Sequence, residues 1–504
     1  MKKIKQSFFY IEYKIQFILF IILLILLSVC SSKFYFRIDT TGQKAYSLSG
    51  YTYEMLDNLT GAVTVTWFKS EHLESFFPSL KYLADVIYEY QNYSGSKFIF
   101  NKKNISELSE EAIKKIDIIP RQIKSQSASA ETLYTVYSGL MIEYNGKTRI
   151  IPFVDDIDIL EYDIARFIYA MHDASAETEN EKKISVIVPP NSLETDYRYI
   201  LPWLEYAGIT AEVLTLPIEN ISEDQPLLVI GSDYIDFSTA AAIDVFLQKH
   251  GKAVFFVSGN TVDVKGNWKA APKIKDFLLD VLAHNGFYIN NDLILDSSNF
   301  RITMNSVDNS GIKMINYPFW IQLRYEGIAK NNPLFSGIFT GYKYLQTFWP
   351  SSLSFDETKK IDPIAFTTSH SFKMMEKYDT DPFNNQLSLF STAEKKAEAI
   401  ITERILPSPV IVISDEYMLS TAIDYTGSSV NLDFMINCIE HLFGLDELLV
   451  LKNKQHTALP FKTFTDQDEF NFIINSARII SLIVLPFVIL CAGIYSFIRG
   501  RKHQ

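Results

Sequence analysis

The residue pattern that best fits catalysis in this 504-residue chain is the short loop Ser258, Gly259 and Asn260. The loop follows an apolar stretch that favours a β-strand, so it would lie at the carboxyl edge of a parallel sheet, where α/β folds bind ligands. A serine nucleophile also needs a base, and His250 and His284 are candidates only by residue type. A tight strand-exit turn is the favoured interpretation. Ser258–Asn260 is therefore a weak candidate ligand-binding loop, and no catalytic residue is assigned.

The triplet Gly146, Lys147 and Thr148 resembles the end of a phosphate-binding loop. Such a loop needs a glycine five residues before its final glycine, so that main-chain amides surround the phosphate, and Met141 occupies that position. Asn145-Gly146 is instead typical of a β-hairpin turn. We therefore predict no nucleotide site and no other cofactor.

Acidic residues are densest just before and within a predicted helix that begins near residue 156: Asp155, Asp156, Asp158, Glu161 and Asp163. Several oxygens suit a calcium ion, but the EF-hand pattern is absent. Solvated acids at a helix N-terminus are the favoured interpretation, because the helix dipole stabilises them there. The eight histidines show no metal-ligand spacing, so no metal site is assigned. Glu161 and Tyr162 are predicted to contact the core or a partner.

Strands and helices alternate through two predicted units, residues 61–173 and 184–451, joined by a polar linker at 174–183. The strands of the second unit are apolar throughout, which favours a largely parallel sheet covered on both faces. The fold class is therefore α/β. Cys438 is the one cysteine of these two units, so the sequence offers no disulfide within them, and we expect a small buried side chain in a helix.

Two apolar stretches, 15–33 and 478–498, are predicted to cross the membrane. Each contains a long uncharged run, 15–32 or 479–498, and crossing a bilayer takes about 20 helical residues. The first is expected to be an uncleaved anchor, because it is long and no A-x-A-like site follows it. Cleavage at Cys30 stays open as an alternative. The full predicted division adds basic cytoplasmic tails at 1–14 and 499–504 and juxtamembrane segments at 34–60 and 452–477.

Lysine and arginine flank both stretches on the sides nearest the chain ends, and positive flanks stay in the cytoplasm. Both termini are therefore predicted to be cytoplasmic, with residues 34–475 on the other side of the membrane. When the seven basic residues and one acidic residue of these flanks are set aside, 40 basic and 58 acidic residues remain, a formal charge of −18. Such a surface repels nucleic acid and anionic lipid headgroups, so no nucleic-acid partner is expected.

Several short motifs occur in a characteristic order: Tyr46-Ser-Leu-Ser49 with Thr52, Leu160-Glu-Tyr-Asp163, Pro226-Leu-Leu-Val-Ile230, Asn285-Gly286-Phe287 through Leu295-Asp296, Trp349-Pro-Ser-Ser-Leu353, Val412-Ile-Ser-Asp415, and Asn431-Leu-Asp-Phe434 with Asn437. In this order the chain resembles the GldG-like auxiliary membrane components of ABC transporters associated with gliding motility. The resemblance extends over nearly the whole chain, including both apolar stretches.

The resemblance implies a protein of the bacterial cytoplasmic membrane with an extracytoplasmic α/β domain. It also implies that the second unit is similar to class I glutamine-amidotransferase-like folds, and that a separate permease and a separate ATPase are partners. The family has no established catalytic residues, so none are carried over. The motility label belongs to one lineage, and this sequence gives no direct sign of motility.

Three functions are compatible with the sequence. The first is a non-enzymatic accessory subunit of an ABC transporter, with membrane lipid, permease and ATPase as partners and an unknown extracytoplasmic substrate. The second is an anchored hydrolase or amidotransferase-like enzyme of the cell envelope, which requires a nucleophile and a base. The third is an envelope scaffold or carbohydrate-binding protein that works without a transporter.

Overall fold

The computed structural model describes residues 47–127, 130–173, 182–305, 311–339, 344–375, 378–384 and 395–454. Both predicted spans, 15–33 and 478–498, lie outside these residues, as do both predicted tails and most of the linker at 174–183. Among the described residues, no helix has the length and apolar character needed to cross a bilayer.

The first part of the described chain forms a four-stranded sheet with helices beside it. Its elements, in chain order, are α1 (Gly50–Asp57), β1 (Val63–Lys69), α2 (Leu73–Phe76), α3 (Leu83–Ser94), β2 (Phe98–Asn104), α4 (Glu110–Lys115), β3 (Arg121–Ser127), β4 (Ala130–Val136), β5 (Ser138–Tyr144), β6 (Lys147–Ile151) and α5 (Leu160–Asp173). The strand order is β2-β1-β5-β6, and β3 pairs with β4 in a separate hairpin. We call the four-stranded sheet the first sheet.

Local sequence accounts for the edges of these elements. The Ser49 side chain accepts a hydrogen bond from the Thr52 amide and begins α1. Asn145 and Gly146 have φ values of 50° and 74°, which suits the tight turn between β5 and β6. The hairpin prediction is therefore confirmed, and Gly146-Lys147-Thr148 does not lie between a strand and a helix.

The second part of the chain carries the remaining strands and helices. They are β7 (Lys183–Ile187), α6 (Ile200–Tyr206), β8 (Thr210–Val213), β9 (Leu227–Ile230), α7 (Phe237–Gln248), β10 (Ala253–Phe256), β11 (Asn260–Val262), β12 (Ala270–Pro272), α8 (Phe277–His284), β13 (Phe287–Ile289), β14 (Leu293–Asp296), β15 (Asn299–Asn305), β16 (Ile312–Leu323), β17 (Leu345–Phe348), β18 (Leu353–Phe355), β19 (Ile361–Phe366), β20 (Ser371–Met374), β21 (Ala399–Arg404), β22 (Val410–Ile413), α9 (Val430–Leu442) and α10 (Asp446–Val450). Short 3-10 helices lie at Pro78–Tyr82, Gly95–Lys97, Ile105–Glu107, Tyr325–Gly327, Pro333–Phe335, Glu357–Lys359, Glu416–Leu419, Thr421–Tyr425 and Leu451–Asn453.

Seven of these strands form one sheet, the second sheet, in the order β19-β21-β22-β10-β9-β7-β8. The five strands from β8 to β22 run parallel, β21 pairs antiparallel with β22, and the edge strand β19 pairs antiparallel with β21. Every residue of β9, β10 and β22 is buried, which is why these strands are apolar throughout. The prediction of a mixed α/β fold is confirmed.

Separate apolar cores support the two sheets. The core of the first sheet contains only residues from Leu48 to Met171. Two further cores, one on each face of the second sheet, contain only residues from Ile184 onward. A smaller cluster, Tyr162 and Ala165 with Leu448 and Leu451, joins α5 to the last helical turns of the described chain. The domain boundary at 174–183 stays a prediction, because residues 174–181 lie outside the described ranges.

Candidate functional site

Glu161, in the first turn of α5, brings together two distant parts of the chain. One carboxylate oxygen accepts the Ser49 amide at 2.8 Å and the Thr52 hydroxyl at 2.5 Å. The other oxygen is ion-paired with the Lys454 ammonium, which also donates to the main-chain carbonyl of Ser47. The Glu161 side chain is 2% exposed, so this carboxylate is stabilised by its partners rather than by water.

Tyr162 extends the same contact toward α9. Its hydroxyl donates to Glu440 at 2.7 Å, and the Lys452 ammonium lies 4.0 Å from the centre of its ring. Lys452 also donates to Glu440 at 3.3 Å and to the Asn437 side chain at 2.7 Å. Burial, followed by the Glu440 charge, raises the pKa of Tyr162 well above its ordinary value, so the phenol stays protonated and donates. We call the set Glu161, Tyr162, Glu440, Lys452 and Lys454 the α5 junction.

The acidic cluster around residue 160 is not uniformly solvated, and that expectation is wrong for two of its members. Glu161 and Asp163 are buried, and Asp163 pairs with Arg166 at 3.0 Å. Burial raises the pKa of Asp163, while the Arg166 charge opposes that shift. Helix α5 begins at Leu160, so Asp155 and Asp156 precede it; Asp155 is paired with Arg121 at the surface. The carboxylates thus have separate partners and do not converge.

The Ser258 loop lies at the carboxyl end of β10, as predicted, but it is covered. Ser258 and Asn260 are fully buried, and the Gly259 amide donates to the Ser351 hydroxyl at 3.0 Å. The Asn260 side chain donates to the main-chain carbonyl of Asp292 and to the Ser351 hydroxyl. The loop is therefore packed beneath residues 290–292 and 349–352, which matches the strand-exit turn and leaves no room above Ser258.

Neither histidine considered as a base is near Ser258. His284 ends α8, and its exposed ring lies 3.5 Å from Asp244. His250 follows α7 with a φ of 68°, at the opposite end of β10 from the Ser258 loop. The described residues therefore do not combine the Ser258 hydroxyl with either ring.

Several motifs that carry the family resemblance meet one another in the second sheet. Ser351 and Ser414 exchange main-chain contacts, since the Ser351 amide donates to the Ser414 carbonyl and the Ser414 hydroxyl donates to the Ser351 carbonyl. The buried Asp415 carboxylate accepts the Phe348 amide at 2.6 Å. Burial raises the pKa of Asp415 well above its ordinary value, against the opposing effect of these main-chain donors. These motif residues therefore fix the carboxyl edge of the sheet.

A buried serine–lysine contact was not anticipated from the sequence. The Lys273 ammonium donates to the Ser232 hydroxyl at 2.8 Å and to Glu416 at 2.7 Å, and Ser232 in turn donates to Asp276. A lysine that acts as a base needs a free lone pair, whereas this ammonium is ion-paired and its side chain is 3% exposed. No short motif marks these residues, because three separate segments supply them.

Metal-ligand groupings of three or more histidine, cysteine, aspartate or glutamate side chains do not occur within the described part of the chain. Cys438 is fully buried in α9, as predicted, and burial raises the pKa of its thiol well above the ordinary value. The thiol is therefore kept protonated, as expected of a small packed side chain.

The fold and these contacts define a mixed α/β protein whose predicted site residues are held in buried polar clusters. Residues 181–438, just over half of the chain, match a family of auxiliary components described as an ABC-type uncharacterized transport system, and the chain belongs to that family. Residues 42–143 match a domain of unknown function, DUF7088. The chain is also similar to an uncharacterized protein of Borreliella burgdorferi, with 26% identity over 491 residues that cover 93% of this chain and 94% of that protein.

Proposed function

We propose that the chain is a non-enzymatic accessory subunit of an ABC transporter, with its large α/β region outside the cytoplasmic membrane and a separate permease and ATPase as partners. Membership of the auxiliary transport family carries this proposal. Within the family we place the chain with the GldG-like members, on the order of its motifs. A role in motility is not part of the proposal.

The α5 junction supports this arrangement. Lys454 contacts both Ser47 and Glu161, so residues 47 and 454 meet at the start of α5. In the sequence, the predicted span 15–33 precedes Ser47 and the predicted span 478–498 follows Lys454. The uncharged runs of the two predicted spans, 15–32 and 479–498, suit packing against other helices better than a polar transport path.

The contacts of the polar residues support a non-enzymatic role. Ser258 is covered, and the Lys273 ammonium is already paired with Glu416. A chemical step at Ser258 or at Lys273 would first have to break these contacts. The alternative of an envelope hydrolase would need a nucleophile beside a base at an accessible position, an arrangement that neither Ser258 nor Ser232 provides.

Purification of the tagged full chain from its native membranes in a mild detergent tests the proposal. We expect an ATPase with a phosphate-binding loop and a multi-span permease to co-purify in comparable amounts. A second two-span membrane protein with the same tag, purified in parallel, should recover neither. Recovery of the chain with neither the ATPase nor the permease would overturn the proposal.

Topology is tested independently. A green fluorescent protein fused after Gln504 should fluoresce, since we place this end in the cytoplasm, and protease added to intact spheroplasts should digest the α/β region. Protection of the α/β region from that protease would place it inside the cell and contradict the arrangement.

A further inference from the structure

A cleft of about 800 Å³ opens beyond the carboxyl ends of β10 and β22, away from the α5 junction. One wall is the turn 264–269 between β11 and β12, the two strands that follow β10. The segment 378–384 forms another wall, and a third is Tyr425, at the end of the 3-10 helix Thr421–Tyr425 that comes after β22. Because β10 and β22 are parallel neighbours, their following loops meet at one edge of the sheet, which is where α/β folds bind ligands. We call this the aromatic cleft.

Aromatic rings form the floor and rim of the cleft. The Trp268 ring packs on the buried Trp320 and Trp349 at centroid distances of 4.9 and 5.6 Å, so its position is fixed from below. Tyr425 stands perpendicular to Trp268 at 5.9 Å and is 65% exposed. Phe383, on the facing segment, is 40% exposed. The cleft therefore offers flat apolar surfaces that the described residues leave uncovered.

The walls are fixed to one another by hydrogen bonds. The Thr380 hydroxyl donates to the Trp268 carbonyl at 2.6 Å and accepts the Ala270 amide at 3.3 Å. The Thr380 carbonyl in turn accepts the Tyr317 hydroxyl at 2.8 Å. The segment 378–384 is thus held against the turn 264–269, and the cleft is formed before any ligand arrives.

Charges of both signs line the aromatic cleft. Asp379 and Asp381 provide carboxylates, while Lys265 and Lys269 provide ammonium groups. Lys265 is already paired with Asp196 at 2.8 Å. The cleft therefore lacks the excess of positive charge that a phosphate or nucleotide requires. Carboxylates and ammonium groups together can accept from and donate to the hydroxyls of a neutral molecule.

We propose that the aromatic cleft binds a neutral oligosaccharide. A pyranose ring has an apolar C–H face that suits the exposed faces of Tyr425 and Phe383, and a rim of hydroxyls that suits Asp379, Asp381 and Lys269. The volume lies within the range of small-molecule sites and accommodates two or three sugar rings. This binding does not depend on whether the chain works with a transporter.

The test uses the full chain in a polyoxyethylene detergent, because detergents with sugar headgroups would compete for the cleft. Chitotriose, maltotriose, cellotriose and mannotriose are titrated separately, with saturation-transfer NMR and tryptophan fluorescence as readouts. We expect saturable binding of at least one trisaccharide, with a Kd of about 1 mM or tighter. No saturable binding by any of the four would overturn the proposal.

Variants locate the binding. Tyr425→Ala should weaken the binding of the active trisaccharide by about tenfold, since an exposed aromatic contact is lost. Tyr288→Ala, at a tyrosine of 42% exposure on β13, should leave the affinity unchanged. Phe383→Ala provides a second variant in case the first does not fold, and should also weaken binding. If wild type and both cleft variants bound the trisaccharide equally well, the proposed site would be wrong. If choline competed at a similar concentration, the proposal of a neutral ligand would be wrong.

Discussion

Lys454 donates a hydrogen bond to the main-chain carbonyl of Ser47, 407 residues earlier in the chain, while its ammonium is paired with Glu161. One side chain thus fixes two distant segments to the start of α5. The apolar cluster of Tyr162, Ala165, Leu448 and Leu451 lies in the same region, so packing and charge act together there. The α5 junction therefore holds the first sheet, α9 and the segments at Ser47 and Lys454 together.

Glu161→Ala should destabilise the fold by about 3 kcal/mol, because it leaves the partly buried Lys454 ammonium, the Ser49 amide and the Thr52 hydroxyl without their acceptor. Glu161→Gln keeps the shape and should cost less. The free energy of unfolding of the full chain in detergent, measured in denaturant, gives the result.

Glu54→Gln on the exposed face of α1 is the matched control and should change stability by less than about 0.5 kcal/mol. Adding Lys454→Met to Glu161→Gln should recover part of the loss, because the unpaired ammonium is then removed as well. Additive losses in the double variant would show that the two side chains do not act as a pair.

Tyr162→Phe should destabilise the protein by about 2 kcal/mol, since a hydrogen bond to the buried Glu440 carboxylate is lost while the ring is kept. The comparison is Tyr288→Phe, which removes a hydroxyl from an exposed tyrosine and should be neutral. The denaturant midpoints of the two variants, measured at one pH, show whether Tyr162→Phe loses more stability than Tyr288→Phe. If Tyr162→Phe matched its control, the hydroxyl contact would contribute nothing to the junction.

His441 makes stability depend on pH. Its Nε2 lies 2.9 Å from Glu403 and its Nδ1 lies 2.6 Å from Asp446. Burial lowers the pKa of this imidazole, but the two carboxylates raise it further, and the net direction is upward from 6.5. A raised folded-state pKa stabilises the fold fully below the unfolded value, and the contribution is lost as pH rises through the folded value.

The stability difference between wild type and His441→Gln should therefore be larger at about pH 5.5 than at about pH 8.5. Thermal unfolding at a series of pH values measures it. His284→Gln, at an exposed histidine, serves as the control and should differ little from wild type at either pH. A difference for His441→Gln that grew with pH would show that the imidazole is neutral in the fold.

Much of the second sheet could be predicted, because completely buried parallel strands have a simple sequence signature. Leu227–Ile230 and Val410–Ile413 are strands of the second sheet, as their unbroken apolar sequences indicate, and the Asn145-Gly146 turn has the predicted conformation. Helix starts were less predictable. The sequence suggests a helix from Pro272, but Pro272 pairs in β12 and the Asp276 side chain begins α8 at Phe277.

The polar clusters were harder to predict, since their members are far apart in sequence. Glu161 and Tyr162 were singled out as packing or partner contacts, but nothing near them indicates Glu440, Lys452 or Lys454. Acid-rich helix starts are usually solvated, and the burial of Glu161 and Asp163 depends on tertiary partners that a local pattern does not contain. The sequence predicts a ligand-binding loop at the carboxyl end of β10. The open cleft lies near the same edge of the sheet, but beyond Ser258.

Gly259→Ala tests whether the Ser258 loop is a packed turn. A Cβ atom at this position would lie 2.1 Å from the main-chain oxygen of Asn290, and that oxygen belongs to backbone that cannot rotate away. The substitution should therefore destabilise the fold by about 3 kcal/mol, through overpacking.

Gly50→Ala, at a helical glycine with nothing within 4 Å of the new atom, should be neutral or stabilising by up to about 1 kcal/mol. Denaturant unfolding of both variants gives the comparison. Equal stabilities would mean that the segment above Gly259 moves aside readily, and a ligand site at Ser258 would then be accessible after all.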